Sequence, residues 1–229
     1  MGKGTARAMA VDSSQMEGFM KILAIDTGGG SCSVALWEEG RELAFHEKTS
    51  ERDQASFLPE LVRKIMGQHK VDQVIVNVGP GSFTGIRVGL AFAKGLTLGL
   101  GLPLKGIDSF TAIYSGLSSP KDVLILIDAR RPDVFGRRFL EGIPQLLQSY
   151  GRGNVEKILL SSSPPLLAGS GVHALFKSSH PHEIFSPWRG AQNLAHAFFQ
   201  NPALATEPFP FYAREANVTF SSHSCLSPL

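Results

Sequence analysis

Cysteine is nearly absent. Cys32 and Cys225 are the only two in 229 residues, and they stand at opposite ends of the chain. That excludes a Cys-rich metal site and a disulfide-stapled scaffold, and it fits a reduced, cytoplasmic protein. Charge is also scarce, at 18% of residues, and the two signs cancel to a net +2. No basic block is present; Arg130-Arg131 and Arg137-Arg138 are only pairs. A dedicated nucleic-acid binder is therefore not expected, and any contact with RNA should run through a partner. Residues 1–19 contain no continuous apolar run and no period, so they read as a disordered extension or expression remnant rather than a signal peptide. Elsewhere no apolar run escapes interruption by glycine or charge, so no membrane association is expected.

What remains is ample for a core, since 43% of residues are hydrophobic. "KILAIDT" (21–27) and "SCSVALWEE" (31–39) read as strands joined by a glycine turn, and "RELAFHEKT" (41–49) as a third. Helical spacing of Phe57, Leu58, Leu61, Val62, Ile65 and Met66 predicts a helix over 55–67. "VDQVIVNVG" is a strand, followed by a glycine turn and a long apolar helix. "LPLKGI" is strand five, and a helix capped by Asp108 or Ser109 follows. Residues 117–121 read as a linker. Beyond it "DVLILIDARRPDVFGRRFLEG" repeats the opening plan, with "IDARRPDVFGRRF" standing where "IDTGGGSCSVALW" stood. "PPLLAGSGVHALFK" reads as strand, turn and helix, "HEIF" (182–185) as a short strand, and "NLAHAFFQ" as a helix. The expectation is an α/β protein of the actin-like ATPase (ASKHA) fold. Its two similar halves, residues 20–117 and 118–229, each hold a mixed sheet flanked by helices, and the second ends in a frayed tail.

In that fold, nucleotide sits between the halves against two hairpin turns. The first turn is Asp26-Thr27-Gly28-Gly29. Its glycines let backbone amides approach a phosphate, which makes it a vestigial phosphate turn. Asp26 and Thr27 equally well cap a tight hairpin, and the turn alone does not choose. The second turn, Asp128-Ala129-Arg130-Arg131-Pro132, carries two guanidinium groups and a proline where a glycine and a hydroxyl are needed. Ser82 lacks the G-x-S-x-G spacing of a nucleophile elbow and reads as the N-cap of the long helix. The histidines (His46, His69, His173, His180, His182, His196 and His223) show no ligand spacing. No catalytic residue and no metal ligand is therefore nominated.

The long helix has two rows of small residues, Gly85-Gly89-Ala93 and Ala91-Gly95-Gly99. Glycine inside a helix costs about 0.5–1 kcal/mol relative to alanine, so close approach of another backbone is expected. If one row faces the sheet, Ile86, Leu90, Leu96 and Leu98, with Phe83 or Phe92, are left outward as a partner surface.

"MKILAIDTGGGSCSVALWE", "VGPGSFTGIRVGLAFAKGL" and "IDARRPDVF", and more loosely "LAGSGV" and "PFYARE", resemble the TsaB (YeaZ) family over residues 20 to about 216. The resemblance implies an actin-like fold and a non-catalytic scaffold or activator. Its partners would be the paralogous TsaD subunit and the ATPase TsaE, transferring threonylcarbamoyl to N6 of adenosine 37 in tRNA. It implies a homodimer when alone and tRNA contact only through the complex. It implies no cofactor in the isolated chain, with ATP and Mg²⁺ at the partner subunits. The family is also grouped with peptidase M22, although no nucleophile–base pair is legible. The partner interface is expected at Phe57, Leu58, Leu61, Ile65, Ile86, Gly89, Leu90, Ala93 and Leu96. One departure stands out: "RDQASFLP" holds no histidine where the family often has one and where TsaD-like relatives place a metal-binding His pair. The rival reading is an ATP-dependent kinase or hydrolase using Asp26 and Asp128.

Overall fold

Alternation along the first strand divides the protein into layers. In β1 (Lys21–Asp26), Ile22 and Ala24 point to one side and Leu23 and Ile25 to the other, and all four are buried. A strand covered on both faces needs a helix layer on each side. The computed structural model, which describes residues 19–49, 53–67, 69–130, 133–187 and 189–211, supplies both. β1 pairs antiparallel with β2 (Ser31–Glu38), which continues to β3 (Arg41–Thr49). On its other side it pairs in parallel with β4 (Gln73–Asn77), which carries β5 (Leu104–Ile107). The sheet order is β3-β2-β1-β4-β5.

Helices α1 (Gln54–Met66) and α2 (Phe83–Leu100) cover one face. Leu58, Leu61, Val62, Ile65, Ile86, Leu90 and Ala93 meet Leu23, Ile25, Val34 and Val76 there. The opposite face is closed by α3 (Ser109–Ser115), whose Ala112 joins this layer, and by α6 (Ala191–Gln200). Leu194, Ala195 and Phe198 of α6 pack on Ile22, Ala24 and Ile75. Thus α6, which follows the second sheet in sequence, packs on the first. Both predicted caps form: Ser82 Oγ accepts from Gly85 N–H at 3.3 Å, and Asp108 accepts from the amides of Phe110 and Thr111.

The second sheet repeats the wiring. β6 (Asp122–Ile127) pairs antiparallel with β7 (Val134–Leu140) and in parallel with β10 (Leu166–Ala168), as β1 does with β2 and β4. β8 (Ile143–Pro144) and β9 (Gln148–Tyr150) both pair with β7. Helices α4 (Arg152–Leu159) and α5 (Ser170–Phe176) cover one face and α3 the other. This is the actin-like α/β plan expected from the duplicated Ile-Asp strands. The halves are joined by Arg137 of β7. Its guanidinium lies 3.8 Å from Asp108 and beside the rings of Phe110 and Phe211, at 5.2 and 5.5 Å.

One local expectation changes. Residues 182–185 form only a bridge, Leu167 to Glu183, because two hydrogen bonds to Leu167 are all this stretch makes with β10. The segment from β8 to α4 carries no clear period in sequence, and its elements are short. Residues 1–18 and 212–229, which hold the predicted tail and, except for Phe19, the predicted extension, lie outside the described residues.

The largest correction concerns the partner residues. Leu58, Leu61, Ile65, Ile86, Gly89, Leu90 and Ala93 are buried in the protein's own core, and Phe57 and Leu96 are half-buried. The reason is the rotation of α2. A Cβ on Gly85 would overlap the carbonyl oxygen of Thr27, and one on Gly89 would overlap the Thr27 hydroxyl. The backbone that approaches the first row of small residues is therefore the β1–β2 turn of the same chain. The second row faces outward: a Cβ on Gly95 or Gly99 meets nothing within 4 Å, and Leu98 between them is 87% exposed. By length and a mean hydropathy of 1.2, α2 also meets the criteria for a membrane span. Its inner face is nonetheless seated in the core between β1 and β4.

The two rows should respond oppositely to a single methyl group. Gly95→Ala and Gly99→Ala should raise stability by about 0.5–1 kcal/mol. Gly85→Ala and Gly89→Ala should lower it by about 1–3 kcal/mol through overpacking. Urea unfolding of the four variants checks this. Ile86→Glu and Leu90→Glu, which place a charge in the core, should abolish the cooperative transition altogether.

Candidate functional site

Both halves end their first strand in an aspartate, and the fold brings the two ends to one cleft. Asp26 and Asp128 line a cavity of about 480 Å³ between the sheets. Its walls include apolar Ile113, Ile127 and Ile184, with Ser170, His173 and Glu183 from the second half. Arg189, also on the wall, is paired with Glu47 at 2.9 Å.

The first turn is held from within. Asp26 Oδ1 accepts from the Gly28 amide and from Asn77 Nδ2, both at 2.8 Å. Asn77, at the end of β4, accepts in turn from Gly79 N–H at 2.7 Å and Ser109 Oγ at 2.9 Å. Burial pushes the Asp26 carboxyl above its ordinary value; the Gly28 and Asn77 hydrogen bonds oppose the shift and Glu47 adds to it. Thr27 donates its hydroxyl proton to the Gly85 carbonyl at 2.7 Å, and the Gly28 carbonyl accepts from Ser82 N–H at 2.7 Å. A Cβ on Gly28 would lie 2.7 Å from Ile86 Cδ1, so this glycine serves packing. Of the four residues nominated as a phosphate turn, Asp26, Thr27 and Gly28 are committed to the fold, and Gly29 is exposed.

The second turn reaches across. Asp128 Oδ1 accepts from Arg130 N–H at 2.7 Å, and Arg130 takes the left-handed φ of 60°. Its Nη2 comes within 3.6 Å of a Cβ built on Gly30, the residue closing the first turn. Arg131 and Pro132 lie outside the described residues. Ser82 serves as a helix cap. The Cys32 thiol, buried in β2, is pushed up to about 11 by desolvation and by Asp26, so it is no nucleophile at neutral pH. Among the described residues, no group of three or more His, Cys, Asp or Glu could hold a metal ion. Asn77 and the reach of Arg130 were not legible in sequence. An asparagine closing a buried strand was the one available signal for the former.

The second candidate surface is the outer face of α2. Phe83, stacked against the Arg87 guanidinium at 3.7 Å, is 52% exposed, and Ala91, Gly95, Leu98 and Gly99 are exposed farther along, beside the exposed Lys94. Several exposed apolar groups and no close neighbours at Gly95 and Gly99 make it a surface suited to another helix.

A family model described as TsaD, tRNA N6-adenosine threonylcarbamoyltransferase, matches residues 48–143. The tRNA threonylcarbamoyladenosine biosynthesis protein TsaB of Escherichia coli is 37% identical over 124 residues, covering 51% of this chain and 53% of that protein. TsaB of Haemophilus influenzae is 35% identical over 123 residues, covering 51% and 52%. The chain thus spans about half the length of the curated relatives it matches. Among solved structures, YeaZ from Pseudomonas aeruginosa superposes with a TM-score of 0.65 at 23% identity, covering 84% of this chain and 99% of that one. The fold is therefore shared through the second half as well.

The state of Asp26 can be read from pH dependence. Its folded carboxyl is held above the ordinary 3.8, so its contribution to stability is present at low pH and is lost as pH rises through the folded value. Asp26→Asn keeps an acceptor for Gly28 and Asn77 without ionising. The variant's stability relative to wild type should therefore increase between about pH 3 and pH 7. A flat or falling difference in urea unfolding would contradict the assignment.

Proposed function

We propose, from the premise that this chain belongs to the TsaB (YeaZ) family, that it is a non-catalytic scaffold and activator in threonylcarbamoylation of N6 of adenosine 37 in tRNA. It works beside a TsaD catalytic subunit and the ATPase TsaE, pairs with itself when alone, and meets tRNA through the complex in the cytoplasm. ATP and Mg²⁺ belong to the partner subunits. The observation that carries this reading is the outer face of α2. Ala91, Gly95, Leu98 and Gly99 form an exposed, small and apolar stripe on the helix, bordered by Arg87 and Lys94. The docking residues are therefore those on the ridge opposite Ile86 and Leu90, with half-buried Phe57 and Leu96 at its margins.

The cleft supports the non-catalytic part. The Gly28 amide, which a phosphate would need, already donates to Asp26, and Arg130 stands over Gly30. The second reading, an ATP-dependent kinase or hydrolase, draws on Asp26 and Asp128 sharing one cavity. A micromolar Mg-ATP site lost in Asp26→Ala, seen by calorimetry, would favour it.

Leu98→Glu tests the docking face. Burying a leucine contributes about 1.5–3 kcal/mol, and an unpaired carboxylate in its place adds a desolvation cost of several more. Micromolar affinity corresponds to only about 8 kcal/mol. The variant should remain folded by circular dichroism, because the side chain is exposed. It should fail to co-purify with TsaD and should not support tRNA modification in the reconstituted system. Wild-type co-purification and modification by Leu98→Glu and by Gly95→Glu would refute the docking face.

A further inference from the structure

After α6, the chain returns along the open edge of the first sheet, and this return holds an aromatic ring out in solvent. Thr206 exchanges both backbone hydrogen bonds with Gly106 of β5, each at 2.8 Å. Glu207 pairs with Lys105 at 3.0 Å. Phe211 donates its amide to the Val78 carbonyl at 2.7 Å and packs on the core under α1 and α2. Between these anchors stands Pro208-Phe209-Pro210. The prolines lock φ on both sides of Phe209, and the Phe209 amide is tied to the Glu207 carbonyl at 2.8 Å. The ring is nonetheless 66% exposed. Among the described residues its aromatic–cation contact is with Lys94 of α2, whose Nζ lies 5.1 Å from the ring centre. Lys94 is on the outer side of α2, one turn from Leu98, so the ring extends the apolar helix surface sideways over the edge of β5.

We propose that residues 205–211 form a rigid strap that is a second element of the partner-docking face, with Phe209 as its anchor. The occupant is a partner subunit that lays an apolar helix along α2, with a carboxylate opposite Lys94. This rests on the docking reading of α2 and adds to it a contact from a different part of the chain. A large ring held by anchors at both ends loses little freedom on binding, and aromatic residues, Phe among them, are enriched at the cores of interfaces. The double hydrogen bond at Gly106 serves the same end, because it fixes the strap to the sheet that carries α2. A Cβ on Gly106 would overlap a Val78 methyl and lie 3.1 Å from the Glu207 carbonyl oxygen, so glycine there serves the packing of Val78 first and the approach of the strap second.

The test is the affinity of the full chain for the TsaD subunit, measured by calorimetry for wild type, Phe209→Ala, Phe209→Trp and Leu98→Glu. Phe209→Ala should bind about tenfold more weakly or worse, with a urea midpoint equal to wild type, and Phe209→Trp should stay within about threefold. If Phe209→Ala binds within about twofold of wild type while Leu98→Glu does not bind, the strap proposal falls and the helix-face reading stands. A lowered urea midpoint in Phe209→Ala overturns the proposal by making the ring structural. Wild-type binding by Leu98→Glu removes the helix-face reading, and the proposal with it.

Discussion

The contact between the Thr27-Gly28 turn and the inner row of α2 sets the rest of the structure. Gly81, Gly85 and Gly89 remove the side chains that would hold the helix away, and the Thr27 hydroxyl then reaches the Gly85 carbonyl. Such a contact admits one rotation of the helix. Ile86, Leu90 and Ala93 turn into the core beside Leu23, Val34 and Val76. Leu98, Gly95 and Gly99 are left outside by the same rotation. One face of the helix is thereby used by its own sheet, and the other carries Leu98 and the second row of small residues in solvent.

The same contact governs the cleft. A turn pressed against a helix must satisfy its polar groups locally. The Gly28 amide goes to Asp26, the Gly28 carbonyl takes the Ser82 amide, and Asn77 ties Asp26 to Ser109. Within this turn the Gly28 amide is engaged by Asp26, while Gly29 and Gly30 are exposed. Arg130 reaches toward Gly30 from the other half and brings positive charge to the first turn. Arg137, set between Phe110 and Phe211 and facing Asp108, joins the halves.

Two edges of this arrangement meet at the outer face of α2. The segment that closes β5 also places Phe209 beside Lys94, so sheet-edge protection and surface presentation come from one stretch of seven residues, 205–211. An open edge strand invites unwanted pairing. Covering it with a proline-bracketed strap removes that hazard and leaves the strap's outer side free.

Much of this was legible in the residues alone. The alternation of Ile22 and Ala24 against Leu23 and Ile25 determined a two-sided strand, Ser82 and Asp108 declared their helix starts, and the repeated Ile-Asp strands implied two like halves. Such signals are local: each depends on neighbours within a few positions. The phase of α2 was not legible, because its two rows of small residues are equivalent until Thr27 selects one, and that assigned Ile86 and Leu90 to the wrong side. Nor were the return of α6 to the first sheet, the reach of Arg130, or the role of Asn77 as the hub under Asp26. Each of these joins residues from distant parts of the chain, and only the assembled tertiary structure brings them within range of one another.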